Sequence, residues 1–200
     1  ETIASFLDQV ALKPLTPAGG SVAALTAASA AALAEMAANL TSGKAAYAGV
    51  ADEMACIAKA CSKYRERFLV DIDRDSQAFE KVMQAYRLPK DTKEEQEIRS
   101  NAIQHQYKEA VKVPLEIAYN AVEMMRIIKK LIIIVHDNTF TDVVQAYMMA
   151  ETAARSLLYH ARANLTEVED ENFTNDILQK ISLLEKSLGY PPKTTEIQDK

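Results

Sequence analysis

Two adjacent glycines, Gly19 and Gly20, stand between Pro17-Ala18 and Ser21, directly ahead of a long alanine-rich stretch. Paired glycines free the backbone for a tight turn and Ser21 is a natural N-cap, so the segment predicts a helix start whose amides can receive an anion or a carbonyl. A plain capped turn would leave the same pattern, and no Gly-Lys-Ser/Thr follows to make a phosphate loop. The second group is acidic. Asp71, Asp73 and Asp75 alternate inside one long predicted helix and are followed by Phe79. Aspartate is a poor helix-interior residue, and Asp71 and Asp75 share a face on which like charges repel by roughly 0.2–0.5 kcal/mol. A carboxylate held partly protonated by such a neighbour can serve as general acid or base near neutral pH; a solvated face shared with Arg67 and Arg74 is the alternative.

Other candidates are weaker. Lys44 and Lys90 can bind a carboxylate or simply face water. His105, His136 and His160 lie far apart with no i, i+4 partner, which argues against a zinc site. Cys56 and Cys61 match no metal or redox spacing and would point about 140° apart on a helix, so they read as reduced thiols of a cytoplasmic protein. No nucleophile elbow, dinucleotide fingerprint or EF-hand pattern occurs. A net charge of -5 with scattered basic residues argues against a nucleic-acid partner.

The elements that must position these residues are helices. Five glycines and six prolines among 200 residues are about half of average usage, too few for the turns of a β-sandwich, and 18 of the 32 alanines fall between Ala18 and Ala60. Periodicity and punctuation predict helices from Thr2 to Leu12, ended by Pro14 and Pro17, and from Ser21 to Leu40. Others follow from Tyr47 to Tyr86, from a Thr92/Glu95 capping box to Val135, from Thr141 to Asn164 and from Asn172 to Leu188. Pro114 predicts a kink or break near Val113. The expected fold is therefore all-α: a single helical bundle over residues 1–189 with two long helices, and a polar tail over 190–200. From Pro14 to Gly43 the only charge is Glu35, so the second helix must be buried in a core or a subunit interface, and a homodimer is expected. The 17 residues from Val22 to Ala38 read as too short and too weakly apolar to span a membrane, and no basic stretch leads into an apolar one as in a signal peptide.

Taken in order and at their spacing, several motifs resemble the cyclodeaminase family, meaning the C-terminal domain of formiminotransferase-cyclodeaminase and its stand-alone bacterial relatives. They are Pro14 to Lys44, similar to P-x-P-G-G-G-S-V-A-A running to N-L-T-x-G-K; Asp73-Arg74-Asp75 with Ala78-Phe79; Leu88-Pro89-Lys90; Val113-Pro114-Leu115; Thr141-Asp142-Val143; and Asn164-Leu165. The resemblance covers about Phe6 to Leu188. It implies an all-helical homodimer binding a tetrahydrofolate derivative in a cleft near the subunit interface, without a metal or redox cofactor. The implied reaction is formimidoyltetrahydrofolate cyclodeamination to 5,10-methenyltetrahydrofolate and ammonia; the alternative is methenyltetrahydrofolate cyclohydrolase, giving 10-formyltetrahydrofolate. Within it, Asp75 is the implied acid/base group with Asp73 its electrostatic neighbour. Gly19, Gly20, Ser21, Lys44, Phe79, Asp142 and Asn164 are the implied substrate-binding residues, Lys44 meeting the glutamate tail or the folate ring.

The chain departs from the pattern in two places. Ala18 replaces the first of three glycines. Where relatives tend toward small residues and an Asn, this chain carries Gln145, Tyr147, Met148, Arg155 and His160, and bulk there is expected to reshape the folate cleft. An inactive folate-binding or structural dimer is the reading those substitutions favour. Two hundred residues leave no room for a formiminotransferase domain, so a separate protein is expected to supply the substrate.

Overall fold

The computed structural model describes residues 2–12 and 16–189; Pro14 and the expected tail over 190–200 lie outside them. Among the described residues there are six α-helices and no strand, as the composition predicts: α1 Ile3–Ala11, α2 Gly19–Ser42, α3 Ala51–Tyr86, α4 Lys93–Ile134, α5 Phe140–Leu165 and α6 Glu171–Leu188. Two short 3-10 turns, Ala45–Val50 and Asp137–Thr139, lead into α3 and α5. Thr2 caps α1 by accepting from the Ser5 amide, and the Thr92/Glu95 capping box closes the start of α4 in both directions.

The centre of the bundle is α2. Ala23, Ala27, Ala31 and Ala34 are buried, and so are Ala24, Ala28, Ala30, Ala37 and Ala38 on the flanking sides. Small side chains let α3 and α5 approach it closely, and Met54, Phe68, Val143, Leu157 and Ile181 complete the same core. The burial expected of a subunit interface is thus largely achieved within one chain. What stays open on α2 is one stripe, including the exposed Ala32, Met36 and Leu40. At 24 residues, α2 is longer than the sequence reading allowed, and by length and composition it could cross a membrane. Its packing at the heart of the bundle is that of a core helix.

Contacts at its two ends show that α2 and α5 run antiparallel. Gly19 lies against His160 near the end of α5, whereas Thr41 accepts from the His136 amide just before α5 begins. This pairing decides which residues can share a site.

The break expected at Pro114 does not occur, since α4 runs unbroken for 42 residues. Proline removes the hydrogen bond that would reach the carbonyl four residues back, here that of Ala110. The Asn164 amide nitrogen on α5 donates to that carbonyl at 2.8 Å. A side chain from the neighbouring helix thus fills the vacancy, and Pro114 itself is buried.

Candidate active site at the start of the central helix

The diglycine is not a left-handed turn. α2 begins at Gly19 with Ala18 at its N-cap, so Ser21 lies inside the first turn and is fully buried rather than capping the helix. The glycines are needed for space. A Cβ on Gly19 would stand 2.6 Å from His160 Nε2, and one on Gly20 would stand 2.5 Å from Asp75 Cγ. Their missing side chains let the Asp75 carboxyl, on α3, and the His160 imidazole, on α5, close directly onto the helix start.

Asp75 is held by Ser21. The Ser21 hydroxyl oxygen lies 3.1 Å from Asp75 Oδ2, 3.1 Å from the Ile72 carbonyl and 3.0 Å from Ser76 Oγ. One hydroxyl proton serves one acceptor at a time. Facing an ionised carboxylate, Ser21 donates to Asp75; facing a protonated one, it can accept from it and turn its own proton to Ile72. The contact suits both charge states, which is what an acid/base group requires. Burial pushes the Asp75 carboxyl above its ordinary range; the Ser21 hydroxyl, the His160 imidazole and the Ser21 amide pull it back, and Asp71 adds to the upward push.

Around this carboxyl lies a pocket of about 130 Å³, lined by Asp75, Ala78 and Phe79 of α3, Ala110 of α4, His160 and Asn164 of α5, with Thr16 and Ala18. The Asn164 nitrogen that lines it is engaged with Ala110, so this residue joins α4 to α5 at the pocket wall. A larger, mostly apolar groove of about 720 Å³ separates α4 from α6; of the motif residues Leu115 lines it, and none of the expected site residues does.

The structure therefore brings Gly19, Gly20, Ser21, Asp75, Phe79 and Asn164 together, and leaves three expected residues elsewhere. Asp73 is exposed, beside Ile3 and Phe6 of α1 and Leu69 and Ile72 of α3, so the charge acting on Asp75 is that of Asp71 instead. Asp71 is fully buried and paired with Arg74, which also reaches Glu116 of α4 at 2.8 Å. Burial raises the Asp71 carboxyl, Arg74 pulls it down, and its second oxygen has no partner. Lys44 and Asp142 lie beyond the other end of α2, where Tyr47 packs on His136 with ring centroids 5.5 Å apart. Along 24 residues that is about 36 Å from the diglycine, at ~1.5 Å per residue. Tyr147 and Met148 of the expected bulky set belong to the first half of α5, far from the pocket, while His160 alone of that set lines it. Sequence reasoning treated His160 as bulk. A signal was available, because His160 and Asn164 are four apart and share a helix face.

Comparison with known proteins assigns the family. The model of the formiminotransferase-cyclodeaminase family matches residues 2–183. The chain belongs to that family. Among its relatives, a methenyltetrahydrofolate cyclohydrolase of Methylorubrum extorquens is 32% identical over 189 residues, covering 94% of this chain and 91% of the relative. The formimidoyltransferase-cyclodeaminase of Sus scrofa is 30% identical over 180 residues, 90% of this chain but 33% of that longer protein. A crystal structure of formiminotetrahydrofolate cyclodeaminase from Thermotoga maritima superposes with a TM-score of 0.84 at 30% identity, covering 94% of this chain and 90% of that one. The family match includes both ends of α2 and the whole pocket. Among the described residues, no three His, Cys, Asp or Glu side chains gather as a metal site would need.

Proposed function

We propose that this chain is a formimidoyltetrahydrofolate cyclodeaminase whose reaction centre is the Asp75 pocket. N10 of the substrate attacks the formimidoyl carbon carried on N5, ammonia leaves, and the 5,10-methenyl ring remains. A proton must leave N10 and another must reach the departing nitrogen. The Asp75 carboxyl, desolvated yet hydrogen-bonded to a hydroxyl that serves both of its charge states, is suited to that exchange. That arrangement is the observation carrying the proposal. Gly19 and Gly20 admit the reacting atoms to the helix start, Phe79 offers an apolar wall, and Asn164 fixes the wall opposite. The chemistry moves protons and one C–N bond, so no metal or redox cofactor is called for.

The second reading is methenyltetrahydrofolate cyclohydrolase, in which water attacks the methenyl carbon and 10-formyltetrahydrofolate results. Its support is the Methylorubrum extorquens relative, which matches along nearly the whole of both chains. The Thermotoga maritima cyclodeaminase matches at similar coverage and keeps the first reading in front.

A homodimer belongs to the proposal. A pocket of about 130 Å³ is smaller than the roughly 300–1,000 Å³ of ordinary ligand sites. Lys44, the expected partner of the glutamate tail, is about 36 Å away along α2. Two copies packed antiparallel through the open stripe of Val22, Leu25, Ala32, Met36 and Leu40 would bring Lys44 of a second copy to the diglycine end. The protein so read is cytoplasmic, consistent with free Cys56 and Cys61, and has neither a membrane nor a nucleic acid as partner.

Incubation with 5-formimidoyltetrahydrofolate and separately with 5,10-methenyltetrahydrofolate, followed at the methenyl absorbance, tests this. Methenyl gain in the first supports cyclodeamination. Methenyl loss in the second alone supports the cyclohydrolase, and no change in either while folate still binds identifies an inactive binding protein.

A further inference from the structure

We propose that His160 is a second acid/base group of the pocket, working opposite Asp75 so that proton removal and proton delivery are divided between two side chains. The inference rests on the proposed folate reaction and adds a residue that the motif reading left as bulk. His160 enters from α5 and Asp75 from α3, and both line the same small pocket. Each is seated by the absence of one glycine side chain: Gly19 leaves room for the imidazole, and Gly20 leaves room for the carboxyl. Consecutive glycines thus admit two titratable groups to one helix start. Nothing else in the lining titrates, since Thr16, Ala18, Ala78, Phe79, Ala110 and Asn164 complete it. The charges acting on Asp75 are those of His160 and of Asp71 one turn earlier on α3, itself engaged with Arg74.

The division follows from the surroundings. Asp75 receives hydrogen bonds from Ser21 and so suits the role of base. An imidazolium beside a carboxylate suits the role of acid. The formimidoyl group enters as its amidinium cation. As the N10–C bond forms, the C=N π electrons pass to the terminal nitrogen, which becomes a neutral amino group, and N10 loses its proton to the Asp75 carboxylate. His160, protonated, then gives a proton to the amino nitrogen of the tetrahedral adduct. The C–N bond to that nitrogen breaks, ammonia leaves, and the N5 lone pair completes the cationic methenyl group. Asp75 ends protonated and His160 neutral, and transfer of one proton from the first to the second, through water, restores both. Atoms and charge balance without a further reactant.

The test uses the full-length protein and His160→Asn, with His160→Gln as a second amide that keeps more of the ring's volume. The expected result is a fall in kcat of roughly 100-fold or more with KM changed less than about 2-fold, and loss of the alkaline limb that a required imidazolium imposes on the rate profile. Unchanged kcat and an unchanged pH profile in both variants would overturn the proposal. A second readout requires no turnover. An NMR titration of the His160 ring should give a lower midpoint in Asp75→Asn than in the parent protein, because a facing carboxylate favours imidazolium. An unmoved midpoint overturns the pairing. A moved midpoint in a protein that turns over neither folate upholds the pair and refutes the folate reaction instead.

Discussion

The two ends of α2 start from similar material and finish differently. Each carries a short run rich in small residues at a candidate site, Ala18-Gly19-Gly20-Ser21 at one end and Thr41-Ser42-Gly43-Lys44 at the other. At the first, two helices close onto the backbone, Ser21 is fully buried, and the Asp75 carboxyl is pushed above its ordinary range by burial. At the second, Gly43 and Lys44 are exposed beside the loosely packed Tyr47 and His136. Burial separates the two, because a carboxyl withdrawn from water onto a hydroxyl that serves both of its charge states is placed to exchange a proton. On the proposed reading the closed end moves protons and the open end holds a charged part of the ligand.

That contrast can be broken by mutation. Short of replacing the carboxyl itself, the largest effect is expected from Gly20→Ala, whose methyl group would occupy the space of the Asp75 carboxyl. Turnover should fall by roughly 100-fold, the scale of a misplaced catalytic group, with about 1–3 kcal/mol lost in urea unfolding from overpacking. Next comes Asn164→Ala, which strips the Ala110 carbonyl of its only support beside Pro114. It should destabilise by about 1–3 kcal/mol, and in a Pro114→Ala background, where the helix can bond that carbonyl itself, a double-mutant cycle should show most of the loss recovered. At the open end, Lys44→Ala should raise KM about 10-fold, equivalent to ~1.4 kcal/mol, while kcat stays within about 2-fold. If Lys44→Ala instead lowered kcat as Gly20→Ala does, the two ends would not be functionally distinct. The smallest effect belongs to the exposed Asp73, where Asp73→Asn should alter steady-state constants by less than about 2-fold.

Much of this was legible in the sequence, for physical reasons that can be named. Helical periodicity, the Thr92/Glu95 cap and the stretch before Gly43, with Glu35 its single charge, announced the bundle and its central helix. The ordered motifs announced Asp75 together with Gly19, Gly20, Phe79 and Asn164. What stayed hidden depends on which helices are neighbours and in which direction they run. His160 meets Gly19 only because α5 is antiparallel to α2, and the same fact carries Lys44 and Asp142 away from Asp75. Asp73 looked like the neighbour of Asp75 because they are two apart, yet on a helix that spacing turns them to different faces. Pro114 looked like a break because its partner in the compensation, Asn164, lies fifty residues later in the chain.

The most direct test of the central claim is Asp75→Asn, measured for both turnover and stability across pH. The amide keeps the size of the carboxyl and can accept from Ser21, so the fold should persist. The raised carboxyl of the parent protein binds its proton more tightly folded than unfolded. Its contribution to stability is therefore complete below the unfolded value near ~3.9 and is lost as pH rises through the folded one. Removing it should leave the variant at least as stable as the parent at neutral pH, with the gap closing toward acid. Turnover at the methenyl absorbance should drop by roughly 100- to 10,000-fold, the span expected for losing an acid/base group. A folded Asp75→Asn protein that keeps the parent's turnover would contradict the claim that the closed end of α2 is where the reaction occurs.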